Sequence, residues 1–367
     1  MRIIISGGGT GGHIYPGIAI AKKIQEYNPE AKIIFVGSEN GLEKKLVPHE
    51  GFEIRFISVE GLNKKISLKT FSALKNVFKG FVQSIDIVKD FKPDIVIGTG
   101  GYVCGPIVLA ASLRGIPTII HEQNAFPGMT NKLLAHFVNK IAITFKETEK
   151  YFPKNKVVFT GNPIRESIII KKEKADKSYW GLSVDKPMLL VVGGSRGATR
   201  INDTIVEIIP KLIQNDIQLL FVTGEKEYDK IIKRIEKMDI QSDRRIVIKP
   251  YLFNIDMALN SADLIISRAG ATIISEITAL GIPSILIPSP NVANNHQEYN
   301  ALALEQNGAA IVIKESQLET NVFADQVINL ILNKEKLSKM SSNAKKLAVL
   351  DATDKIYDII TELTNKG

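Results

Sequence analysis

The sequence predicts an α/β protein of two parallel-sheet domains, and three observations carry this. Short apolar runs end in glycine turns that lead into helix-like stretches, the order expected of strands buried on both faces of a sheet. The second half starts afresh: Met188 to Val192 runs into Gly193-Gly194-Ser195-Arg196-Gly197-Ala198, much as Ile3-Ile4-Ile5-Ser6 runs into Gly7-Gly8-Gly9-Thr10-Gly11-Gly12-His13. A longer echo links the halves. Pro93-Asp94-Ile95-Val96-Ile97 with Gly115-Ile116-Pro117-Thr118-Ile119 parallels Ala262-Asp263-Leu264-Ile265-Ile266 with Gly281-Ile282-Pro283-Ser284-Ile285 at similar separations. Two Rossmann-like, doubly wound domains facing each other across a cleft are expected, each offering loops from the C-terminal edge of its sheet.

In order, Ile3–Ile5 reads as the first strand and Gly17 to Tyr27 as its helix. Lys32 to Val36 is a second strand, Leu42 to Pro48 a short helix and Phe52 to Ser58 a third strand. Pro93 to Gly98 is a strand that enters a second glycine turn at Gly100-Gly101-Tyr102. Ile116 to Ile120 is another, ending on His121-Glu122-Gln123-Asn124, polar residues placed where open α/β sheets bind ligands. The rhythm pauses around Gly161-Asn162-Pro163, which sets the expected boundary. The first domain spans 1–163 and is completed by a closing helix over 350–367; the second spans 164–349. Leu219 to Thr223, Ile246 to Ile248, Leu264 to Ser267 and Ser284 to Ile287 supply the later strands.

Composition bounds the class. The 367 residues, 44% hydrophobic and 23% charged, suit an ordinary globular chain of two or three domains. A lone Cys104 excludes an internal disulfide and a cysteine-cluster zinc site, and the five histidines lack metal-ligand spacing. No stretch has the length of a membrane span, so the chain is expected to be soluble or to lie on a membrane. The formal charge of +8 points to anionic partners: nucleotides, nucleic acid or an acidic lipid surface. From Gly61 to Ile85 the chain carries Lys64, Lys65, Lys69, Lys75 and Lys79 and no acid, with Leu68, Phe71, Leu74, Phe78 and Phe81 near helical spacing. This is either a basic membrane-surface helix or a core-facing helix with a solvated back.

The opening turn matches G-x-G-x-x-G, yet Val36 is followed by Gly37 and Ser38 rather than by an acid that would hold a ribose, and Glu39 comes late. No Walker lysine follows any glycine turn. A sharper set lies in the second half. Ser267-Arg268-Ala269-Gly270-Ala271-Thr272-Ile273-Ile274-Ser275-Glu276 puts a strand end, a turn and a helix N-terminus ahead of a carboxylate, which suits a diphosphate with ribose hydroxyls. Glu276 is equally consistent with an acid favoured by the helix dipole. Asn294-Asn295-His296-Gln297 is able to read sugar hydroxyls, or is a connector with an N-cap.

The ordered set GGGTGGH, GTGGYVCGP, HEQNAFPGMTN, GNPIR, GGSRGA, SRAGATIISE and HQEYNAL resembles the MurG family of peptidoglycan N-acetylglucosaminyltransferases over nearly the whole chain. The resemblance implies the GT-B fold, UDP-N-acetylglucosamine as donor, and undecaprenyl-diphospho-muramoyl-pentapeptide (lipid I) as acceptor. The implied product is lipid II, made by a peripheral protein at the cytoplasmic face of the inner membrane, with an anionic membrane surface as partner and neither nucleic acid nor a cofactor. It places Thr10, Gly11, Gly12, Asn124, Arg165, Ser195, Leu252, Ala271, Thr272, Ile273, Ile274, Ser275, Glu276 and Gln297 at the donor. Gly9, Gly100, Gly101 and Tyr102 fall on the acceptor side, and Lys64, Lys65, Leu68, Lys69, Phe71 and Phe78 at the membrane. Cys104 stands where a serine is expected, Arg196 where glutamine is common, and Leu252 to Ile255 is atypical.

The implied reaction is attack by the muramoyl 4-hydroxyl on the anomeric carbon with inversion. It needs a base, for which His13 is the candidate, since imidazole titrates near neutrality; a role in positioning substrate alone is the other reading of His13. No D-x-D sequence offers a metal to the diphosphate, and the helix N-terminus at Ala271, the glycine turns and Arg165 are expected to supply positive potential. A UDP-sugar 2-epimerase and a non-catalytic nucleotide-sugar sensor are the rival classes.

Overall fold

The computed structural model describes residues 1–59, 68–170, 176–193, 198–240 and 242–365, with side chains from 78 onward in the first long helix and excluding those of 169, 170 and 293. The chain forms two compact units, Met1–Arg165 with Val349–Gly367, and Glu166–Ala348. In the first, β1 (Arg2–Gly7), α1 (Gly11–Tyr27), β2 (Lys32–Gly37), α2 (Glu43–His49), β3 (Glu53–Phe56), α3 (Leu68–Phe91), β4 (Ile95–Gly100), α4 (Cys104–Ser112), β5 (Thr118–Glu122), α5 (Met129–Leu134), β6 (Lys140–Ile143) and β7 (Val157–Phe159) alternate strand with connection. They make a parallel sheet of order β3-β2-β1-β4-β5-β6-β7.

The second unit runs α6 (Glu166–Ile170), β8 (Met188–Val192), α7 (Thr199–Gln214), β9 (Gln218–Val222), α8 (Glu225–Glu236), β10 (Ile246–Lys249), α9 (Ile255–Ser261) and β11 (Leu264–Ser267). It continues with α10 (Ala271–Leu280), β12 (Ser284–Leu286), α11 (His296–Glu305), β13 (Ala310–Val312), α12 (Thr320–Leu332) and α13 (Lys334–Lys346). Its parallel sheet has the order β10-β9-β8-β11-β12-β13. In both sheets the winding reverses once, between β1 and β4 and between β8 and β11. Beside such a reversal the connections leave in opposite directions and open a crevice at the strands' C-terminal ends.

The isoleucine run of β1 explains its place at the centre. Ile3, Ile4 and Ile5 are all fully buried. Ile3 and Ile5 join the core under α1, whereas Ile4 joins the core with Val88 and Phe91 of α3 and Ile107 of α4. Alternate residues thus serve opposite faces, as a two-sided strand requires. The last helix, α14 (Ala352–Thr364), returns to the first unit, where Ile356, Ile359 and Ile360 pack with Ile3, Ile5 and α1.

The sequence echo has a structural explanation. Asp94 accepts the backbone N–H of Arg2 at 2.7 Å while its own N–H reaches the Arg2 carbonyl at 2.8 Å. Asp263 does the same to Met188, at 2.9 and 3.0 Å. Each aspartate clasps the first residue of the neighbouring central strand and sets its register. The Gly-Ile-Pro segments complete the match: Val96 N–H bonds the Pro117 carbonyl and Ile265 N–H the Pro283 carbonyl, both at 3.0 Å. Strands β6, β7 and β13 were not evident from the sequence. Each has only three or four residues at or near a sheet edge, too short for a periodic signal.

Replacing Ile356, which is fully buried, by alanine is expected to destabilise the first unit by about 3 kcal/mol. Urea unfolding followed by a probe in each unit should show the first unit's transition moving to lower denaturant.

Candidate active site

At the first reversal point two glycine turns touch backbone to backbone. Gly8 N–H donates to the Gly100 carbonyl at 3.2 Å, and a Cβ built on Gly101 would lie 2.5 Å from the Gly8 oxygen. Gly100 and Gly101 both have positive φ, 108° and 86°, which side chains resist. A Cβ on Gly100 would meet the His13 ring at 2.7 Å. Glycine is therefore required here by space as well as by conformation.

His13 lies in the first turn of α1, part-buried. Its Nδ1 is 3.0 Å from the Gly8 carbonyl oxygen and 3.4 Å from Thr10 Oγ1. A carbonyl only accepts, so Nδ1 carries the hydrogen and the neutral ring keeps its lone pair on Nε2, the nitrogen on the Gly100 side. Thr99 Oγ1 donates to the His13 carbonyl at 2.8 Å and ties α1 to the end of β4. The Arg165 guanidinium stacks 4.1 Å over the Tyr15 ring, and that ring lies against Gly11, so Arg165 is brought to the first turn.

Sequence reasoning missed Glu43. This residue is 1% exposed, and it accepts Gly9 N–H through Oε2 at 2.9 Å. Oε1 accepts the Ser38 N–H at 2.9 Å and the Ser38 hydroxyl at 2.7 Å. As the first residue of a short helix it reads like a helix-dipole acid, and only the fold brings it to a turn thirty-four positions earlier.

The polar run at the end of β5 divides. His121, Glu122 and Gln123 are buried; Asn124 is partly exposed. His121 Nε2 donates to the Gly161 carbonyl at 3.0 Å, and Nδ1 accepts from Gln123 Nε2 at 2.9 Å. Burial holds its pKa down at about 4, so the ring is neutral and acts as a strut. Glu122 accepts the N–H of Asn124 at 3.0 Å, the N–H of Gly128 at 3.0 Å and Asn131 Nδ2 at 2.8 Å, which shapes the loop that carries Asn124. Cys104 is fully buried against β4, and burial pushes its thiol up to about 12, so it is no nucleophile.

At the second reversal point, β11 delivers Arg268-Ala269-Gly270 to the N-terminus of α10, whose first turn, Ala271, Thr272 and Ile273, has no acid. Ile274 is 2% exposed and belongs to the packing. Ser275 Oγ bonds back to the Ala271 carbonyl at 2.9 Å. Glu276 is 3% exposed and sits beyond the first helical turn, unlike a solvated dipole-capping acid. Arg268 pairs with Glu315 and reaches the carbonyls of Ile287 and Pro288, both at 3.2 Å, while Asn300 Nδ2 holds the Ala269 carbonyl at 3.2 Å. Together they fix the loop; Asn300 and Glu315 were not foreseen, because their partners, the Ala269 carbonyl and the Arg268 guanidinium, are distant in sequence. Gln297 Oε1 accepts Ser289 N–H at 2.9 Å, following Asn294 and Asn295 in left-handed conformation, φ 53° and 56°.

Leu252 is partly exposed after β10, beside the Tyr251–Phe253 ring pair, whose centroids are 5.0 Å apart. Tyr102 is exposed on the second turn. Ser195, Lys64 and Lys65 lie outside the described residues, as do the side chains of Leu68, Lys69 and Phe71 on α3. Phe78 is 70% exposed. Among the described residues no helix is long and apolar enough to cross a membrane.

Two doubly wound units, each with its loops at a winding reversal, define a two-domain α/β enzyme of the GT-B class. The chain belongs to glycosyltransferase family 28: residues 3–143 match the family's N-terminal domain and residues 188–356 its C-terminal domain. A relative from Acetivibrio thermocellus is 50% identical over 99% of this chain and 98% of its own length. One from Caldanaerobacter subterraneus subsp. tengcongensis is 48% identical over 99% of this chain and 100% of its own. Both carry the name UDP-N-acetylglucosamine--N-acetylmuramyl-(pentapeptide) pyrophosphoryl-undecaprenol N-acetylglucosamine transferase. The crystal structure of Acinetobacter baumannii MurG, 26% identical, matches 98% of this chain and 99% of that one with a TM-score of 0.74.

His121 makes stability depend on pH. Its folded value of about 4 lies below the ordinary 6.5, so the unfolded chain binds the extra proton between those values. Stability from this group is intact above about pH 6.5 and falls with the slope of one proton as the pH drops toward 4. Thermal melts across this range should show the loss, and His121→Gln should flatten it.

Proposed function

We infer that the protein transfers N-acetylglucosamine from UDP-N-acetylglucosamine to the muramoyl 4-hydroxyl of lipid I, giving lipid II. The observation that carries this is the relative of that name, 50% identical over 99% of the chain. The donor's diphosphate belongs at the N-terminus of α10, where backbone N–H groups of Ala271, Thr272 and Ile273 and the helix dipole favour negative charge. Glu276 accepts from the ribose, and Gln297, its oxygen engaged by Ser289, offers its amide nitrogen to the sugar. Ser195, Asn124 and the backbone of Leu252 complete the donor contacts, and Thr10, Gly11 and Gly12 lie near the transferred sugar. Gly9, Gly100, Gly101 and Tyr102 serve the acceptor's diphosphate.

His13 is the base. As the 4-hydroxyl oxygen attacks C1, its proton passes to Nε2, the bond from C1 to the diphosphate oxygen breaks, and the configuration inverts. The charge that develops on the leaving diphosphate is met by α10 and Arg165. The absence of an acid from the first turn of α10 supports this assignment.

UDP release from UDP-N-acetylglucosamine is expected only when a lipid I analogue is added. Release or epimerisation without acceptor would point to an epimerase, and donor binding without acceptor-stimulated release to a sensor. His13→Ala should lower kcat at saturating substrates by about 100-fold or more, with donor affinity nearly kept; near-normal turnover would remove His13 as the base.

The enzyme is proposed to work as a peripheral protein on the cytoplasmic face of the inner membrane, since its acceptor is lipid-linked. Exposed Phe78 and Val82 on α3, and exposed Met129, Leu133 and Phe137 at four-residue spacing, support a docking face. The basic segment from Lys64 to Lys79 adds attraction to anionic headgroups. Neutralising Lys64, Lys65 and Lys69, at about 1 kcal/mol each, should weaken sedimentation with anionic vesicles roughly 100-fold. Unchanged binding would reject this face.

A further inference from the structure

We propose that Glu43 is a positioning residue for His13 and acts on it through a single peptide group. The N–H of Gly9 and the C=O of Gly8 belong to one peptide unit. Its N–H donates to Glu43 Oε2 at 2.9 Å, and its oxygen accepts from His13 Nδ1 at 3.0 Å. In a trans peptide these two groups point in opposite directions, so both bonds form at once. Both Glu43 oxygens face N–H donors, Gly9 on one and Ser38 on the other, which calls for the carboxylate form. A carboxylate on the N–H polarises the peptide and makes the Gly8 oxygen a stronger acceptor. That fixes the His13 ring with its hydrogen on Nδ1, and it stabilises the imidazolium formed when Nε2 takes a proton. A carboxylate paired directly to a histidine has the same effect in hydrolytic triads; here a peptide stands between them.

The surroundings are built around this side chain. A Cβ on Gly8, Gly37 or Gly41 would come within 2.4, 2.6 and 2.1 Å of Glu43 atoms, so three glycines leave it its space. Among the described residues, titratable groups around His13 include His121 on β5, held neutral, and Cys104, whose thiol bonds the Gly100 backbone. Arg165 lies over Tyr15, two residues along α1. Thr10 and Thr99 contact His13 but do not titrate. Among these groups Glu43 is the one joined to the ring through a shared peptide.

The proposal rests on His13 being the base, but its test reads the ring itself. In the full-length enzyme labelled with ¹⁵N at histidine, with His13 assigned by its loss in His13→Ala, the neutral ring should be protonated at Nδ1. Glu43→Gln should lower the His13 titration midpoint by about half a unit, less than the roughly 1–3 units of a directly paired charge. The acid limb of the kcat profile should move down with it. Glu43→Gln should reduce kcat about 10-fold with little change in KM for the donor, and should cost nothing further in a His13→Ala background. A ring protonated at Nε2 in the unaltered enzyme, an unmoved midpoint, or an additive double variant would overturn the proposal. The first of these needs no folded Glu43 variant. Near-normal turnover of His13→Ala with a shifted midpoint would remove the base and leave the relay standing.

Discussion

Two backbones packed without side chains between them hold the first unit's site together. Because Gly101 rests on the Gly8 peptide and Gly100 on the His13 ring, the ends of β1 and β4 form one rigid surface. The imidazole is pinned by a carbonyl that is itself fixed from the other side by Glu43. A methyl group at either glycine would separate the strand ends at the point where the sheet changes direction, and both turns would lose their shape together.

The two halves share architecture and differ in what holds their turns. The Asp94 and Asp263 clasps and the Gly-Ile-Pro carbonyls are the same device used twice, and they build the sheets. At the reversal points the likeness ends. In the first half a buried carboxylate already occupies a backbone donor of the glycine turn. In the second, the loop before α10 is held by Arg268, Asn300 and Glu315.

Much of this was legible in the sequence. Long β-branched runs bounded by glycine announced the central strands, and the repeated aspartate and proline segments announced two related sheets. The short strands β6, β7 and β13 carry too few residues to show a period. Polar residues misled in one place: His121, Glu122 and Gln123 look like a site and are buried struts, because sequence shows that they stand at a strand's end but not that the surrounding loops fold over them. Glu43, Asn300 and Glu315 escaped for the converse reason. Their partners, backbone groups for Glu43 and Asn300 and the Arg268 guanidinium for Glu315, are brought close only by tertiary structure, which no spacing rule encodes.

The return of α14 has a consequence for how the chain is made. Ile356, Ile359 and Ile360 fill the core beneath Ile3 and Ile5, yet the ribosome reaches them only after the whole of Glu166–Ala348. At synthesis rates of roughly 5–20 residues per second, the first unit waits on the order of ten to forty seconds for its closing helix while the second emerges complete. The part of the protein translated first is therefore the part finished last, and throughout that interval its apolar floor is a natural substrate for chaperones.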